Sequence, residues 1–160
     1  MFVTEHSLNL KQMSEYDNLI FIPYNVPSLK NSKVKTSRGI FASATVTKYL
    51  RLLGIQQYSS SKKTVKGYVT RPNEFEKLRP QFEKLMKGKK EPFDIGFHFV
   101  RDSKRDFDFN NATQIIQDLM VAHNMIEDDN MRYFLPYPLK INNNAYTVDK
   151  ENCGVYIKIN

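Results

Sequence analysis

Two neighbouring stretches carry the clearest pattern of apolar and polar positions in the chain. Residues Pro92–Val100 alternate in a strand-like way and are rich in aromatic side chains. Apolar residues then recur at helical spacing, at Ala112, Ile115, Ile116, Leu119, Ala122 and Ile126. Alternation is typical of a strand, and intervals of three and four are typical of one helix face. The pattern therefore predicts a strand, a polar segment, a helix and an acidic turn.

Weaker patterns predict further elements on both sides. The predicted strands are Asn18–Tyr24, a hairpin of Lys33–Thr36 and Ile40–Ala42, pieces of Met131–Ile141, and Gly154–Ile159. The predicted helices are Ser43–Gly54, with Ser43 as N-cap and Gly54 as stop, and Pro72–Lys90, where Pro80 predicts either a kink or two short helices. A chain of 160 residues is long enough for one domain and short for two. We predict a single α+β domain over 18–160, a mixed sheet of about four to six strands with helices packed on it, after an N-terminal extension at 1–17.

Composition is that of a globular protein with a polyanionic partner. Hydrophobic residues make up 41% of the chain, charged residues 26%, and the formal net charge is +7. No apolar run is long enough to cross a bilayer, and the first residues do not form a signal peptide. The single cysteine, Cys153, excludes an internal disulfide and a cysteine-rich zinc site. We expect a cytoplasmic protein with no membrane partner.

The charges are unevenly distributed along the chain. From Leu19 to Asn73 there are ten Lys and Arg and no Asp or Glu, whereas 101–129 contains seven acidic residues. Basic side chains hold phosphates, and carboxylates hold a metal where the bond breaks, so this distribution suits a metal-dependent nuclease. A phosphate-binding surface without catalysis explains the basic half but not the acidic one.

Four aspartates around the predicted helix are the candidate catalytic residues. Asp106 and Asp108 are two positions apart, so an extended backbone puts both on one side. Asp128 and Asp129 follow the helix, and we expect the returning chain to bring one of them to the same place. Crowded carboxylates repel one another unless they are protonated or bridged by a cation, and oxygen ligands without cysteine suit Mg²⁺ or Mn²⁺. The alternative is that they are solvated charges at helix ends and in an ordinary turn.

Short motifs follow one another over most of the chain, from about Asn18 onwards. They are P-S-x-K-N at Pro27–Asn31, a strand, R-D-x-D at Arg105–Asp108, a helix with Q-D-L at Gln117–Leu119, and I-E-D-D at Ile126–Asp129. This order resembles the RusA-type Holliday-junction resolvases, small endonucleases common in phages and prophages. The resemblance implies a magnesium-dependent, homodimeric nuclease that cuts four-way DNA junctions symmetrically during recombination and repair, in the cytoplasm of a bacterial or phage-infected host cell.

The resemblance also implies roles for the aspartates. Asp129 resembles the family's third catalytic acid, and Asp128 its acidic neighbour. Asp108 belongs to the family's aspartate pair in either alignment. Its partner is Asp106 if residues are inserted after Asp108, whereas Asn110 replaces the second aspartate if there is no insertion. We predict Asp106, Asp108 and Asp129 as ligands of Mg²⁺, with Mn²⁺ as the alternative, and Asp128 as an assisting residue.

The predicted contacts to branched DNA are basic and amide side chains. They are Lys30, Asn31, Lys33, Lys35, Arg38, Lys62, Lys63, Lys104, Arg105 and Gln114. Gln114 stands where the family has a lysine, and Lys104 is a candidate substitute for that charge. The alternative for these positions is a plain polar surface, since edge-strand lysines also prevent aggregation.

Three functions stay open at this point. The first is the junction-resolving endonuclease. The second is a DNA-structure-binding protein on the same fold that has lost cleavage, because Gln114 replaces the lysine and the aspartate pair is ambiguous. The third is a basic replication or packaging accessory protein. His98 alternates with aromatic strand residues, which favours a structural histidine, whereas Asp118 either supports the metal site or pairs with a nearby base.

Overall fold

The computed structural model describes residues 16, 18–28, 33–37, 39–57, 68–69 and 73–160. In chain order its elements are β1 (Ile20–Pro23), β2 (Lys33–Thr36), β3 (Gly39–Ala42), α1 (Ala44–Leu52), β4 (Gln56–Gln57), β5 (Tyr68–Val69), α2 (Glu74–Lys77), α3 (Arg79–Met86), β6 (Phe93–Arg101), α4 (Phe109–Ala122), β7 (Phe134–Pro138), β8 (Tyr146–Val148) and β9 (Gly154–Ile159). Of the predicted extension at 1–17, only Tyr16 belongs to the described residues, and its ring contacts Tyr156 of β9.

The main sheet has five strands, with β6 in the middle. Its order is β1, β9, β6 and β7, and β8 pairs with the second half of β6, beyond the end of β7. Strand β9 is antiparallel to both β1 and β6, whereas β7 and β8 run parallel to β6. The sheet is therefore mixed, and together with the helices it confirms the predicted α+β class.

Local sequence signals explain where the helices begin and end. Ser43 caps α1, because its hydroxyl oxygen accepts a hydrogen bond from the Val46 amide, and Gly54 follows the helix with a positive φ. Asn73 caps α2 in the same way, and Pro80 lies in the first turn of α3. Of the two alternatives expected from Pro80, a kink or two short helices, the structure has the two short helices. The predicted hairpin is confirmed as well, since β2 pairs with β3 in an antiparallel register.

Helix α4 connects two parallel strands and so fixes where the acidic segments lie. Its buried stripe includes Ala112, Ile116 and Leu119, which join the core residues on one face of β6. Phe93 at the start of β6 pairs with Phe134 at the start of β7. The chain therefore leaves the far end of β6, runs back through α4, and re-enters the sheet beside the first residue of β6.

On the opposite face of β6, the buried His98 forms hydrogen bonds with Leu139, which follows β7, and with Thr147 of β8. His98 Nδ1 lies 3.0 Å from the Leu139 carbonyl oxygen, and Nε2 lies 3.2 Å from the Thr147 hydroxyl. Since a carbonyl oxygen only accepts, Nδ1 carries the proton and Nε2 accepts from Thr147. His98 is 1% exposed. The prediction of a structural histidine is consistent with this environment.

No helix in the described part of the chain is long and apolar enough to cross a membrane.

His98 gives the fold an acid sensitivity that can be measured. Burial lowers the pKa of His98, and the hydrogen bond to Leu139 opposes this effect only in part. As pH falls, the unfolded chain binds this proton before the folded chain does, so stability is lost below the ordinary histidine pKa of about 6.5. We expect urea unfolding to show a falling free energy from about pH 7 to about pH 5, and a shallower fall for His98→Gln. Equal pH slopes for the two proteins would contradict this assignment.

Candidate acidic site at the end of the central strand

The first pair of aspartates lies in a short segment between β6 and α4, residues Asp106–Asp108, here called the D-x-D segment. Phe107 points into the fold, where its ring packs edge-on against Phe99 at 5.6 Å and Tyr146 at 5.3 Å between centroids. Asp106 and Asp108 flank it and are both exposed. Side chains alternate along an extended backbone, so an inward Phe107 favours outward carboxylates at the two flanking positions. The convergence of the two carboxylates on one ion stays a prediction.

Asp108 also begins helix α4. Its backbone is extended, with φ −91° and ψ 116°, and its carboxylate accepts a hydrogen bond from the Asn111 amide at 3.2 Å. A carboxylate at this position is further favoured by the helix dipole. Asn110 lies in the first turn of α4 and is therefore outside the segment that Asp106 shares with Asp108.

The second pair of aspartates forms a turn just before β7, residues Asp128–Asn130, here called the acidic turn. The half-buried Asp128 carboxylate accepts hydrogen bonds from the Asp129 amide and from the Asn130 side chain, each at 2.8 Å. The Asn130 side-chain oxygen in turn accepts from the Arg132 amide at 2.9 Å. Asp129 itself is exposed. These hydrogen bonds are typical of an Asx turn. They agree with the alternative interpretation of Asp128 and Asp129 as residues of an ordinary turn.

Within one chain the two acidic segments lie far apart. The D-x-D segment precedes α4 and the acidic turn follows it, and this 14-residue helix is about 21 Å long. The parallel pairing of β6 with β7 requires the chain to cross that distance. The expectation that Asp128 or Asp129 returns to Asp106 and Asp108 in the same chain is therefore wrong. Among the described residues, no group of three or more His, Cys, Asp and Glu side chains is placed to hold a metal ion.

The donor chemistry of the D-x-D segment nevertheless fits a hard divalent cation. Asp106 and Asp108 are exposed, and their carboxylate oxygens are the kind of ligand that Mg²⁺ prefers. Magnesium usually binds through one or two protein carboxylates and keeps several waters. One chain thus supplies the carboxylates for such a site, although the third predicted ligand, Asp129, is at the other end of α4.

The predicted DNA-contacting residues divide into three groups. Lys104 and Arg105 are exposed directly before Asp106, and Gln114 is exposed on α4. Lys33 and Lys35 occupy alternate positions of β2. The remaining predicted contacts lie outside the described residues: Lys30, Asn31, Arg38, Lys62 and Lys63. Asp118 is exposed on α4, ten residues beyond Asp108.

A buried arginine that the sequence patterns do not predict, Arg101, lies at this end of the sheet. Arg101, the last residue of β6, is only 9% exposed, and its guanidinium lies 4.7 Å from the centre of the Phe107 ring. Its Nη1 donates a hydrogen bond to the Val26 carbonyl oxygen. Burial lowers the pKa of Arg101, and the nearby Asp102 carboxylate opposes this shift. In the sequence, Arg101 is only an arginine directly after the apolar residues of the central strand. This pattern is equally typical of a solvent-exposed arginine at the end of a strand.

Comparisons with known proteins give no match that identifies a relative. No family model matches the sequence, and no curated protein or solved structure matches it significantly. The likeness to RusA-type resolvases therefore rests on the motifs themselves and stays a prediction.

Proposed function

We propose that this protein is a metal-dependent endodeoxyribonuclease that resolves four-way (Holliday) DNA junctions by paired phosphodiester cleavage. The observation that carries the proposal is the exposure of Asp106 and Asp108 on the two sides of the packed Phe107, just beyond the end of the central strand. Lys104 and Arg105, exposed beside them, supply positive charge for the phosphates of a DNA strand. The order of motifs supports a four-way junction as the substrate.

The residues of the D-x-D segment have distinct parts in this reaction. Asp106 and Asp108 would hold Mg²⁺, or Mn²⁺, through their carboxylate oxygens. Such an ion supplies an activated water and neutralises charge on the phosphate. The cap bond to the Asn111 amide restricts the Asp108 carboxylate, which lowers the entropy lost on binding. Lys104 and Arg105 offset the negative charge that develops on the phosphate oxygens as the bond breaks.

The third acid, Asp129, would join Asp106 and Asp108 of the other chain in a homodimer. Because α4, which is about 21 Å long, lies between Asp108 and Asp129 in one chain, a second chain would supply Asp129. In a two-fold dimer whose α4 helices run antiparallel, Asp129 of each chain meets the D-x-D segment of the other. This arrangement creates two equivalent sites about one helix length apart. Two such sites suit paired cuts in a junction that itself has two-fold symmetry.

Cleavage of a mobile four-way DNA junction tests the proposal. We expect symmetric nicking that requires Mg²⁺ or Mn²⁺ and stops when the ion is chelated, with no cutting of a linear duplex of the same sequence. Asp108→Asn should reduce the rate by about 100-fold or more, as loss of a group that acts on the reacting phosphate does. Asparagine caps helices as well as aspartate, so this variant should retain its stability.

Glu83→Gln is the matched control for this experiment. Glu83 is an exposed residue of α3, so the variant removes one negative charge away from the D-x-D segment and should cut at the wild-type rate. Cutting that survives Asp108→Asn, or that proceeds equally well with a chelator, would overturn the proposal.

A DNA-structure-binding protein without cleavage is the second candidate. It is favoured by the wide separation of the acidic segments in one chain and by the neutral Gln114 at the position of the family's lysine. In this case the protein would bind four-way junctions more tightly than linear duplex and would leave them intact in Mg²⁺ and in Mn²⁺. The same gel experiment separates the two functions.

A further inference from the structure

The guanidinium of Arg101 is buried, and no carboxylate among the described residues forms an ion pair with it, although Asp102 is close enough to act on its charge. The side chain is 9% exposed, yet the ion pairs between described residues, Lys77 with Glu74 and Arg79 with Glu76, do not include it. One of its donors, Nη1, binds the Val26 carbonyl oxygen, whereas Nε is buried and has no hydrogen-bond partner. A buried charge without a counter-charge and a buried donor without an acceptor both destabilise a fold.

The position of Arg101 links it to the candidate site. Its guanidinium lies 4.7 Å from the centre of the Phe107 ring, and Phe107 is the residue between Asp106 and Asp108. On its other side it binds Val26, directly before the P-S-x-K-N motif that begins at Pro27. Arg101 therefore contacts the D-x-D segment and the residue directly before the second motif.

A structural role alone accounts poorly for this side chain. An apolar residue of similar volume would pack against Phe107 without burying a charge, and replacements of this kind are often neutral or stabilising. Arginine offers a planar set of donors that matches phosphate oxygens, and it is retained where a ligand brings the missing negative charge. Unsatisfied buried groups in native folds require such an explanation.

We propose that Arg101 is a phosphate-binding residue, whose guanidinium takes a phosphate group of the DNA backbone beside Asp106 and Asp108. This proposal rests on the proposed function for the identity of the ligand as DNA, but not for the binding of phosphate itself. The phosphate would form the ion pair that Arg101 does not make with any described carboxylate, and it would offer an acceptor for Nε–H. A cation at this place also reduces the repulsion between the phosphate and the two carboxylates. Solvent that bridges Arg101 Nε and the buried, unpartnered side-chain oxygen of Asn25 is the competing explanation.

The salt dependence of DNA binding tests the proposal without cleavage. Affinity for a four-way junction would be measured with Ca²⁺ in place of Mg²⁺ over a range of salt concentrations. We expect Arg101→Met to weaken binding by about 10-fold and to reduce the slope of log affinity against log salt by about one. Arg101→Lys should keep the slope and recover part of the affinity. Lys158→Met, which removes an exposed charge from β9, should change the affinity less than twofold.

Titration with inorganic phosphate gives a second reading that does not depend on DNA. In the ¹⁵N-labelled protein we expect the Arg101 Nε–H resonance to shift and saturate with phosphate, and not with chloride. The solvent explanation predicts no response. The proposal would be overturned if the Arg101 Nε–H resonance does not shift in phosphate or with bound junction DNA and if Arg101→Met leaves the salt slope unchanged. This holds even if the protein cuts junctions. A saturable phosphate response in a protein that neither binds nor cuts junctions would uphold Arg101 and overturn the proposed function.

Discussion

A heterodimer of Asp108→Asn and Asp129→Asn chains is expected to nick four-way junctions although neither variant does so alone. If each site combines the D-x-D segment of one chain with Asp129 of the other, this heterodimer keeps one intact site. That site takes Asp108 from the Asp129→Asn chain and Asp129 from the Asp108→Asn chain. The prediction follows from the length of α4, about 21 Å, which no local adjustment of the acidic turn can span.

The expected effect is large and has a defined size. Each homodimeric variant should lose about 100-fold or more of its activity, because a carboxylate at the reacting phosphate is missing from both sites. The two variants would be co-expressed with different tags, so that heterodimers can be purified. Such heterodimers should nick at roughly half the wild-type rate per dimer, since one of the two symmetric sites is intact. They should not make paired cuts, because the second strand has no intact site.

A heterodimer of Asp108→Asn with Asp106→Asn is the matched control. Both changes affect the same half of the site, so each D-x-D segment is defective and the activity should stay as low as in the homodimers. Asp106 is exposed and Asp108→Asn keeps its capping ability, so neither change should unfold the chain. If the Asp108→Asn and Asp129→Asn heterodimer is as inactive as this control, the shared site is wrong.

The parts of the fold that the sequence predicts are those governed by local rules. Ser43, Asn73 and Pro80 act on the adjacent turn of backbone, so their effect on helix ends can be read without knowledge of the tertiary structure. The spacing of Asp106 and Asp108 is equally local, but the packing of Phe107 on Phe99 depends on the tertiary structure. The resemblance to a resolvase family is a different kind of inference, and neither the fold nor the comparisons test it.

The error about Asp129 has a specific physical origin. The apolar stripe from Ala112 to Ile126 already indicates a helix of several turns, and a helix of that length carries its two ends far apart. What the pattern does not give is the direction of the following strand. The parallel pairing of β7 with β6 places the acidic turn at the start of the sheet, whereas the D-x-D segment lies at its end. Strand direction depends on pairings between distant residues, which one sequence does not reveal.

The burial of Arg101 was not predicted from the sequence, for a related reason. Its burial depends on Val26, which is 75 residues away along the chain, and on Phe107 beyond the following bend. The sequence around Arg101 shows only a charged residue after an apolar run. Contacts between distant segments decide whether such a residue ends in solvent or inside the fold.

Gly154→Ala is expected to destabilise the protein more than any other glycine-to-alanine change in the main sheet. Gly154 begins β9, where it pairs with Pro23 of β1 and Val100 of β6. A Cβ atom there would overlap the backbone carbonyl oxygen of Ile22 and would lie 2.5 Å from the ring of Phe21. Because the carbonyl belongs to the paired backbone of β1, relief requires a shift of the strand. We expect the free energy of unfolding to fall by about 3 kcal/mol in guanidinium titrations.

Gly96→Ala provides the comparison that isolates the backbone clash. The added Cβ at position 96 would lie 2.6 Å from the ring of Tyr137, a side chain that can move, although its hydroxyl then loses the hydrogen bond from Asn160. We expect a loss of about 1–2 kcal/mol, and a much smaller additional loss when Gly96→Ala is made in a Tyr137→Ala background. By contrast, Phe21→Ala should not relieve Gly154→Ala, because the Ile22 carbonyl stays in place. Relief of Gly154→Ala by Phe21→Ala would show that the ring, and not the backbone of β1, requires glycine at this position.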